Sequence, residues 1–399
     1  MRILWVKPGG LWPLDTGGRL RSFHTVSELA RRHQVVLLTT HGPHEDPHEL
    51  AARLSHCARV ASFPHQPPKQ DSLRLAGALM RSWFSELPVD EWKWRVPRLR
   101  AEVSRLMERG EVDLCVADFL TAVPNVPLES GVPVVLFEHN VEHVIWKRLA
   151  AAEPRPWRKL LLELEWRKMR RFEAKACARA DLTLAVSEKD RAVLAANAPG
   201  ARVSAIPTGV DTSFFVPNGH EEVPASLVFT GSMNWYPNED GVLHFVDEML
   251  PLIRREEPRA NLTVVGRDPS PRLRQAAAPA GVRVTGGVDD VRPYVAQGAV
   301  YVVPLRLGGG TRLKIFEALA MGKAVVSTTV GAEGLSLVPG EHLLVADAPD
   351  QFARAVVSLL RDPARRRALG AAGRRLVEQR YAWPQVAREF ESRLGGVTR

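Results

Sequence analysis

Three consecutive glycines, Gly308, Gly309 and Gly310, stand directly before Thr311 and a run carrying Arg312, Lys314 and Glu317, in the stretch "GGGTRLKIFEALAMG". The glycines let the backbone turn after an apolar strand over 299–305, and Thr311 can cap the helix that follows. A helix N-terminus offers unpaired N–H groups and partial positive charge, so a phosphate is stabilised there before any side chain is counted. Arg312 and Lys314 are badly placed for the helix dipole on its own, and an anionic ligand removes that conflict. Glu317, between Phe316 and a small apolar run, can accept both hydroxyls of a ribose diol, as acidic residues do in dinucleotide sites. The ligand-free alternative is a glycine-rich strand-to-helix turn with solvated charges. Neither the Walker A spacing nor Gly-x-Gly-x-x-Gly occurs here, which removes support from ATPase and dinucleotide readings.

His139 follows the apolar strand over 133–137, where a parallel sheet delivers side chains to its crevice; the alternative is a satisfied loop or capping histidine. His143 competes with it, because "HNVEH" offers two imidazoles four residues apart, flanked by Glu138 and Glu142. The Glu that His-Glu-x-x-His requires after the first His is missing, and Asp289 and Asp290 form no Asp-x-Asp motif, so no metal site is expected. Asp118 ends another apolar run and either faces the crevice, with Asn140 as a further acceptor contact, or caps a helix. Gly17 and Gly18 open the first helix, a second place where backbone can approach a phosphate or sugar; a plain turn is the simpler explanation.

Those residues need a scaffold, and the chain alternates short β-branched runs with longer amphipathic ones. Strands are expected over 2–7, 34–40, 112–118, 133–140, 182–187 and 201–210, and a second series over 226–232, 261–267, 282–288, 299–305, 324–329 and 342–347. Strand, helix, strand in both halves predicts two doubly wound parallel sheets, each with a crevice at the carboxyl ends of its strands, enclosing a cleft. Polar residues with Pro217, Gly219 and Pro224 place a linker over 211–225, between an N-terminal domain (1–210) and a C-terminal domain (226–380). Trp383 and Pro384 read as the start of a last helix within 381–399.

The 399 residues exceed one ordinary core, and 45% hydrophobic with 25% charged residues is a globular composition. Cys57, Cys115 and Cys177 are few, odd in number and scattered, which points to free thiols in a reducing compartment. The apolar stretch at the N-terminus is too short for a signal-peptide core and no 18-residue apolar run exists, so a cytoplasmic protein is expected. The formal charge is +9, and residues 146–180 hold eleven Lys or Arg against four Glu, interleaved with Trp146, Trp157, Trp166 and Phe172. That segment is either a solvated helix with a core-facing stripe or a peripheral contact with an anionic membrane. No nucleic-acid-binding motif accompanies it, so nucleic acid is not an expected partner.

The run from "FTGSMNWYPNEDGV" through "VVGR", "VTGGVDDVRPYVAQGAVYVVPL", "GGGTRLKIFEALAMGKAVVST" and "GAEGL" resembles the donor domain of the GT4-type retaining glycosyltransferases of GT-B fold, also called glycosyl transferases group 1. The glycines at 17–18, "FEHNVE" and "PTGVD" extend the resemblance over nearly the whole chain. It implies a GT-B architecture of two Rossmann-like domains, with the last helix returning to the N-terminal one. It also implies a nucleotide-sugar donor on the C-terminal domain, a glycan or lipid-linked acceptor on the N-terminal one, retention of configuration, and neither cofactor nor obligatory metal. Synthesis of a cell-surface polysaccharide or glycolipid is the implied setting.

Carried over residue by residue, Glu317 matches the second Glu of the family's Glu-x7-Glu motif, while the first falls at Gly309. His139 matches the family's His beside the donor sugar, and Gly17, Gly18, Gly231, Gly266, Val288, Gly309, Gly310 and Thr311 match donor-side positions. Where many relatives have an Arg and a Lys for the diphosphate, this chain has Ser232 and Asn238, so Arg312 and Lys314 are expected to replace that pair. A nucleotide-sugar epimerase of the same architecture and a non-catalytic scaffold subunit of a polysaccharide assembly remain alternatives, the second favoured by the missing first Glu.

Overall fold

The computed structural model describes residues 1–14, 16–68, 73–217, 219, 221–307 and 313–398, which divide into two units, Met1–Pro207 with Val386–Arg399, and Thr208–Gln385. In the first unit β1 (Arg2–Lys7), β2 (Gln34–His41), β3 (Arg59–Pro64), β4 (Leu114–Asp118), β5 (Val134–Glu138), β6 (Leu182–Ala185) and β7 (Val203–Ala205) form one sheet, ordered β3-β2-β1-β4-β5-β6-β7. Every pairing is parallel. β4 and β5 are buried at every position, as strands covered on both faces must be.

In the second unit β8 (Ser226–Thr230), β9 (Asn261–Val265), β10 (Arg283–Val284), β11 (Val300–Val303), β12 (Ala324–Ser327) and β13 (Leu344–Val345) form a parallel sheet ordered β10-β9-β8-β11-β12-β13. Both orders reverse once, between β1 and β4 and between β8 and β11, and a doubly wound sheet opens its ligand crevice at that switch point. The expected strands thus form the two Rossmann-like sheets of the α/β reading. β3 was not among them, because its edge position leaves it only half buried and its apolar signal weak.

The last helix, Trp383–Gly395, leaves the second unit and from Val386 onward belongs to the first. Phe390 is fully buried there, with its ring 5.5 Å from that of Trp5 and 5.1 Å from that of Phe137. Arg32 Nε and His33 Nε2 each lie 3.0 Å from the Glu391 carboxylate, holding the same helix by charge.

The segment 208–225 groups with the second unit. Glu222 explains part of this: it pairs with Lys323 Nζ at 3.0 Å and with Arg366 Nη2 at 2.9 Å, while Arg374 Nη1 donates to Phe215 O at 3.3 Å.

Truncating Phe390 to alanine should cost about 3–5 kcal/mol, since a fully enclosed aromatic ring is replaced by a cavity. Urea unfolding of Phe390→Ala reads this as a lowered midpoint, and an unchanged midpoint would mean that the helix is not anchored by that ring.

Candidate functional site

The carboxyl ends of β1, β4 and β5 bring together Lys7, Asp118 and His139, all buried. Trp5 Nε1 donates to Asp118 Oδ2 at 2.8 Å, and His139 Nε2 lies 2.7 Å from Asp118 Oδ1. Arg21, buried on the helix Gly17–Ala30, donates from Nη1 to His139 Nδ1 at 2.9 Å. A guanidinium only donates, so Nδ1 carries no proton and the imidazole proton sits on Nε2, facing Asp118.

Burial is the main reason that the His139 pKa falls to about 3, against the attraction of Asp118, so the ring is neutral at physiological pH. Burial alone would raise the Asp118 pKa, but the His139 contact and the Lys7 charge outweigh it and keep the carboxylate ionised. Burial likewise lowers the Lys7 amine, and lowers Arg21 to about 10, still charged at neutral pH.

Phe119 ties this cluster to the glycines. Its φ of 72° is unusual for a residue with a side chain, and it stacks the ring on His139 at 3.7 Å between centroids. Lys7 Nζ lies 4.1 Å from the centre of that ring. A Cβ on Gly18 would come within 2.5 Å of Phe119 Cζ, so the space that Gly18 leaves open is occupied by that ring.

Both nitrogens of His139 therefore face protein partners, and Asp118 faces the interior rather than capping a helix. His143 points elsewhere and pairs with Glu173, whose other oxygen accepts from Glu142 N at 2.7 Å. Asn140 Nδ2 donates to Glu142 Oε1 at 3.3 Å. The "HNVEH" imidazoles thus diverge, and among the described residues no three His, Cys, Asp or Glu gather to hold a metal ion.

In the second unit the loops after β8 and β9 touch through their glycines. A Cβ on Gly266 would fall 1.8 Å from Gly231 O, and one on Gly231 would fall 2.6 Å from Lys314 Nζ. Lys314, on the helix Leu313–Ala320, donates to Asn238 Oδ1 at 2.7 Å and lies 4.1 Å from the centre of the Phe229 ring. Buried Asn238 in turn donates to Ser232 O at 2.8 Å. Val288, after β10, is partly buried against the core of this unit.

Glu317 is half-buried one turn beyond Lys314, and no side chain among the described residues donates to its carboxylate. Burial raises its pKa to about 7, with Lys314 pulling the other way. Gly309, Gly310, Thr311 and Arg312 lie outside the described residues.

Sequence reasoning missed Lys7, Arg21, Phe119 and Phe229 as parts of these clusters. Lys7 carried one signal, a cation closing the otherwise apolar run "ILWVK". Arg21 and His139 are 118 residues apart, and nothing local announces their contact.

The sequence profile described as Glycosyl transferases group 1 matches residues 224–362, and that described as Glycosyltransferase Family 4 matches residues 17–214. Over 221 residues the chain is 30% identical to the GDP-mannose-dependent alpha-(1-6)-phosphatidylinositol monomannoside mannosyltransferase of Mycobacterium tuberculosis, covering 50% of this chain and 57% of that protein. Over 202 residues it is 27% identical to the GDP-mannose-dependent monoacylated alpha-(1-6)-phosphatidylinositol monomannoside mannosyltransferase of Corynebacterium glutamicum, covering 45% and 52%. The chain spans about half the length of these relatives. Its fold is similar to that of sucrose-phosphate synthase from Thermosynechococcus elongatus, at 17% identity, 99% coverage of both chains and a TM-score of 0.68. It is also similar to Anabaena HepE in complex with UDP, at 15% identity, 99% and 100% coverage and a TM-score of 0.64.

The imidazole of His139 should show no titration between about pH 5 and 8, with the proton fixed on Nε2. Nitrogen chemical shifts of histidine-labelled protein check this. Arg21→Met should raise the His139 pKa, because a neighbouring cation is removed; a wild-type ring that titrates near its ordinary value would contradict the geometry.

Proposed function

The chain belongs to the group 1, family 4 glycosyltransferases of GT-B fold, and from that premise we propose that it moves a sugar from a nucleotide-sugar to a hydroxyl of a glycan or lipid-linked acceptor, retaining the anomeric configuration. The second unit binds the donor and the first unit the acceptor. The observation that carries this is the pair at the carboxyl end of the second sheet: a Lys314 ammonium beside the two strand-end glycines, and a half-buried Glu317 carboxyl with no side-chain donor among the described residues.

Each member has a distinct task. Negative charge builds on the departing nucleoside diphosphate as the glycosidic bond breaks, and the fixed Lys314 ammonium stabilises it without solvent rearrangement. Arg312 is assigned the same task by its place in the motif. The Glu317 carboxylate accepts the two ribose hydroxyls, which orients the donor. The departing phosphate takes the acceptor's proton as the new bond forms on the same face, so the reaction needs neither a protein base nor a metal ion. In the first unit, neutral His139, fixed by Arg21 and Asp118, is a positioning residue with its ring clamped under Phe119.

GDP-mannose is the first donor to test, because two relatives are named for it; UDP-sugars follow, since a neighbour in fold was solved with UDP. The reaction is placed in the cytoplasm, in the assembly of a cell-surface polysaccharide or glycolipid, and the unpaired cysteines suit that compartment.

The correct donor should raise the melting temperature with the logarithm of its concentration, and no shift with any GDP-, UDP-, TDP- or ADP-sugar at millimolar levels would end this reading. Lys314→Ala should lower kcat by about 10²–10³-fold, the usual loss when one fixed transition-state donor is removed.

The pH dependence has a definite sign. The Glu317 pKa is raised in the free protein, so the folded chain holds the extra proton up to about pH 7 and becomes less stable as pH rises through that window. Ribose hydroxyls favour the ionised form, so calorimetric donor affinity should rise as pH passes about 7. Glu317→Gln should bind weakly and with a flat pH profile.

A further inference from the structure

The basic span 146–180 divides along its length. In the C-terminal part of the helix Pro156–Arg179, Met169, Glu173, Ala176 and Cys177 are buried, so that part belongs to the core of the first unit. The other end is different. The helices Glu142–Ala152 and Pro156–Arg179 pack on each other as a hairpin, and its tip exposes Ile145, Leu149, Trp157, Leu160 and Leu164. Trp157, Leu160 and Leu164 recur at helical spacing on one face, with Trp157 63% and Leu160 61% exposed.

The chain extends this face with a second element. Lys168 Nζ donates to Ser82 O at 2.7 Å and Ser82 Oγ at 2.8 Å, which fixes the end of the helix Leu73–Trp83 one turn from Leu164. That end exposes Met80, Trp83 and Phe84, the last at 94%. Large exposed apolar groups gathered in this way mark an interaction surface rather than ordinary scatter.

The surrounding charge identifies the occupant. Lys147, Arg148, Arg155, Arg158, Lys159 and Arg167 are exposed around the stripe. Of the three glutamates between Lys147 and Arg167, Glu165 is buried and accepts from Val89 N at 2.8 Å, while Glu153 and Glu163 already lie against Arg158 and Arg167. A protein-facing patch sheds charge at its core, whereas an apolar stripe rimmed by cations, with tryptophan among it, matches the boundary between acyl chains and anionic headgroups. Among the described residues no helix is long and apolar enough to cross a membrane, so such a surface lies on the bilayer.

We infer that the tip of this hairpin, together with Trp83 and Phe84, docks the protein on an anionic lipid surface. Trp157, Leu160 and Leu164 enter the headgroup boundary and the six cations hold the phosphates. The docking stands on these exposed residues and does not depend on the glycosyl-transfer reading. Its consequence, that the acceptor is a lipid-linked sugar presented at that surface, rests on the glycosyl-transfer reading.

The test is co-sedimentation of the full chain with phosphatidylcholine vesicles holding about 30% phosphatidylglycerol, beside pure phosphatidylcholine. Binding is expected to the anionic vesicles alone and to weaken with salt. The triple variant Trp157→Ala/Leu160→Ala/Leu164→Ala should bind at least about tenfold more weakly, and Arg158→Glu/Lys159→Glu, which touches no core residue, should lose about fivefold or more per cation. Circular dichroism melting confirms that each variant is folded; should the triple variant not fold, the charge-reversal pair decides.

Wild-type protein left in the supernatant with anionic vesicles would overturn the inference, as would binding unaffected by the folded variants. Self-association of the wild type that the triple variant abolishes, without lipid binding, would assign the face to a second copy instead. A protein that binds vesicles yet shows no melting shift with any nucleotide-sugar would keep the docking and remove the transfer reading.

Discussion

The proposed donor site depends on one backbone contact, the meeting of Gly231 and Gly266 after β8 and β9. Any side chain on Gly266 would strike the Gly231 carbonyl, and any on Gly231 would strike the Lys314 ammonium and the Asn238 amide. Because both positions are glycine, the two loops close together and the lysine enters from the helix that follows β11. Its ammonium is placed by a hydrogen bond to Asn238 and against the face of the Phe229 ring. A cation held that way before a ligand arrives costs no reorganisation when negative charge develops beside it.

The first unit gathers several charged groups in its interior. Asp118, Lys7, Arg21 and His139 are all buried, and neutral histidine with its proton on Nε2 is the state that lets Nδ1 accept from Arg21 while Nε2 faces Asp118. The strained backbone of Phe119 is what places a ring over the imidazole and against Gly18. Strain at a strand end is retained where surrounding packing over-determines it, and here the packing partners are the cluster itself.

The alternation of apolar runs was enough to read two parallel sheets, since strands buried on both faces show it most plainly. β3 escaped because an edge strand shares its faces with solvent. The helix carrying Lys314 and Glu317 was legible from its own residues and from the motif around them. The contacts that define the clusters were not: Lys314 meets Asn238 across 76 residues, and His139 meets Arg21 across 118. Gly18 is another such case, because its close approach to the Phe119 ring is invisible in the sequence. In the C-terminal part of the basic segment one face is buried and the cations stay exposed, as the reading of a solvated helix with a core-facing stripe expects.

The central claim is that Glu317 receives a ribose diol while Lys314 faces the diphosphate. Calorimetric titration with a nucleoside diphosphate and its 2′,3′-dideoxy counterpart tests it most directly, in the wild type and in Glu317→Gln. The account predicts that removing both hydroxyls weakens binding to the wild type by about tenfold or more, and that the difference disappears in the variant. Equal affinity of the two ligands for the wild type would contradict it.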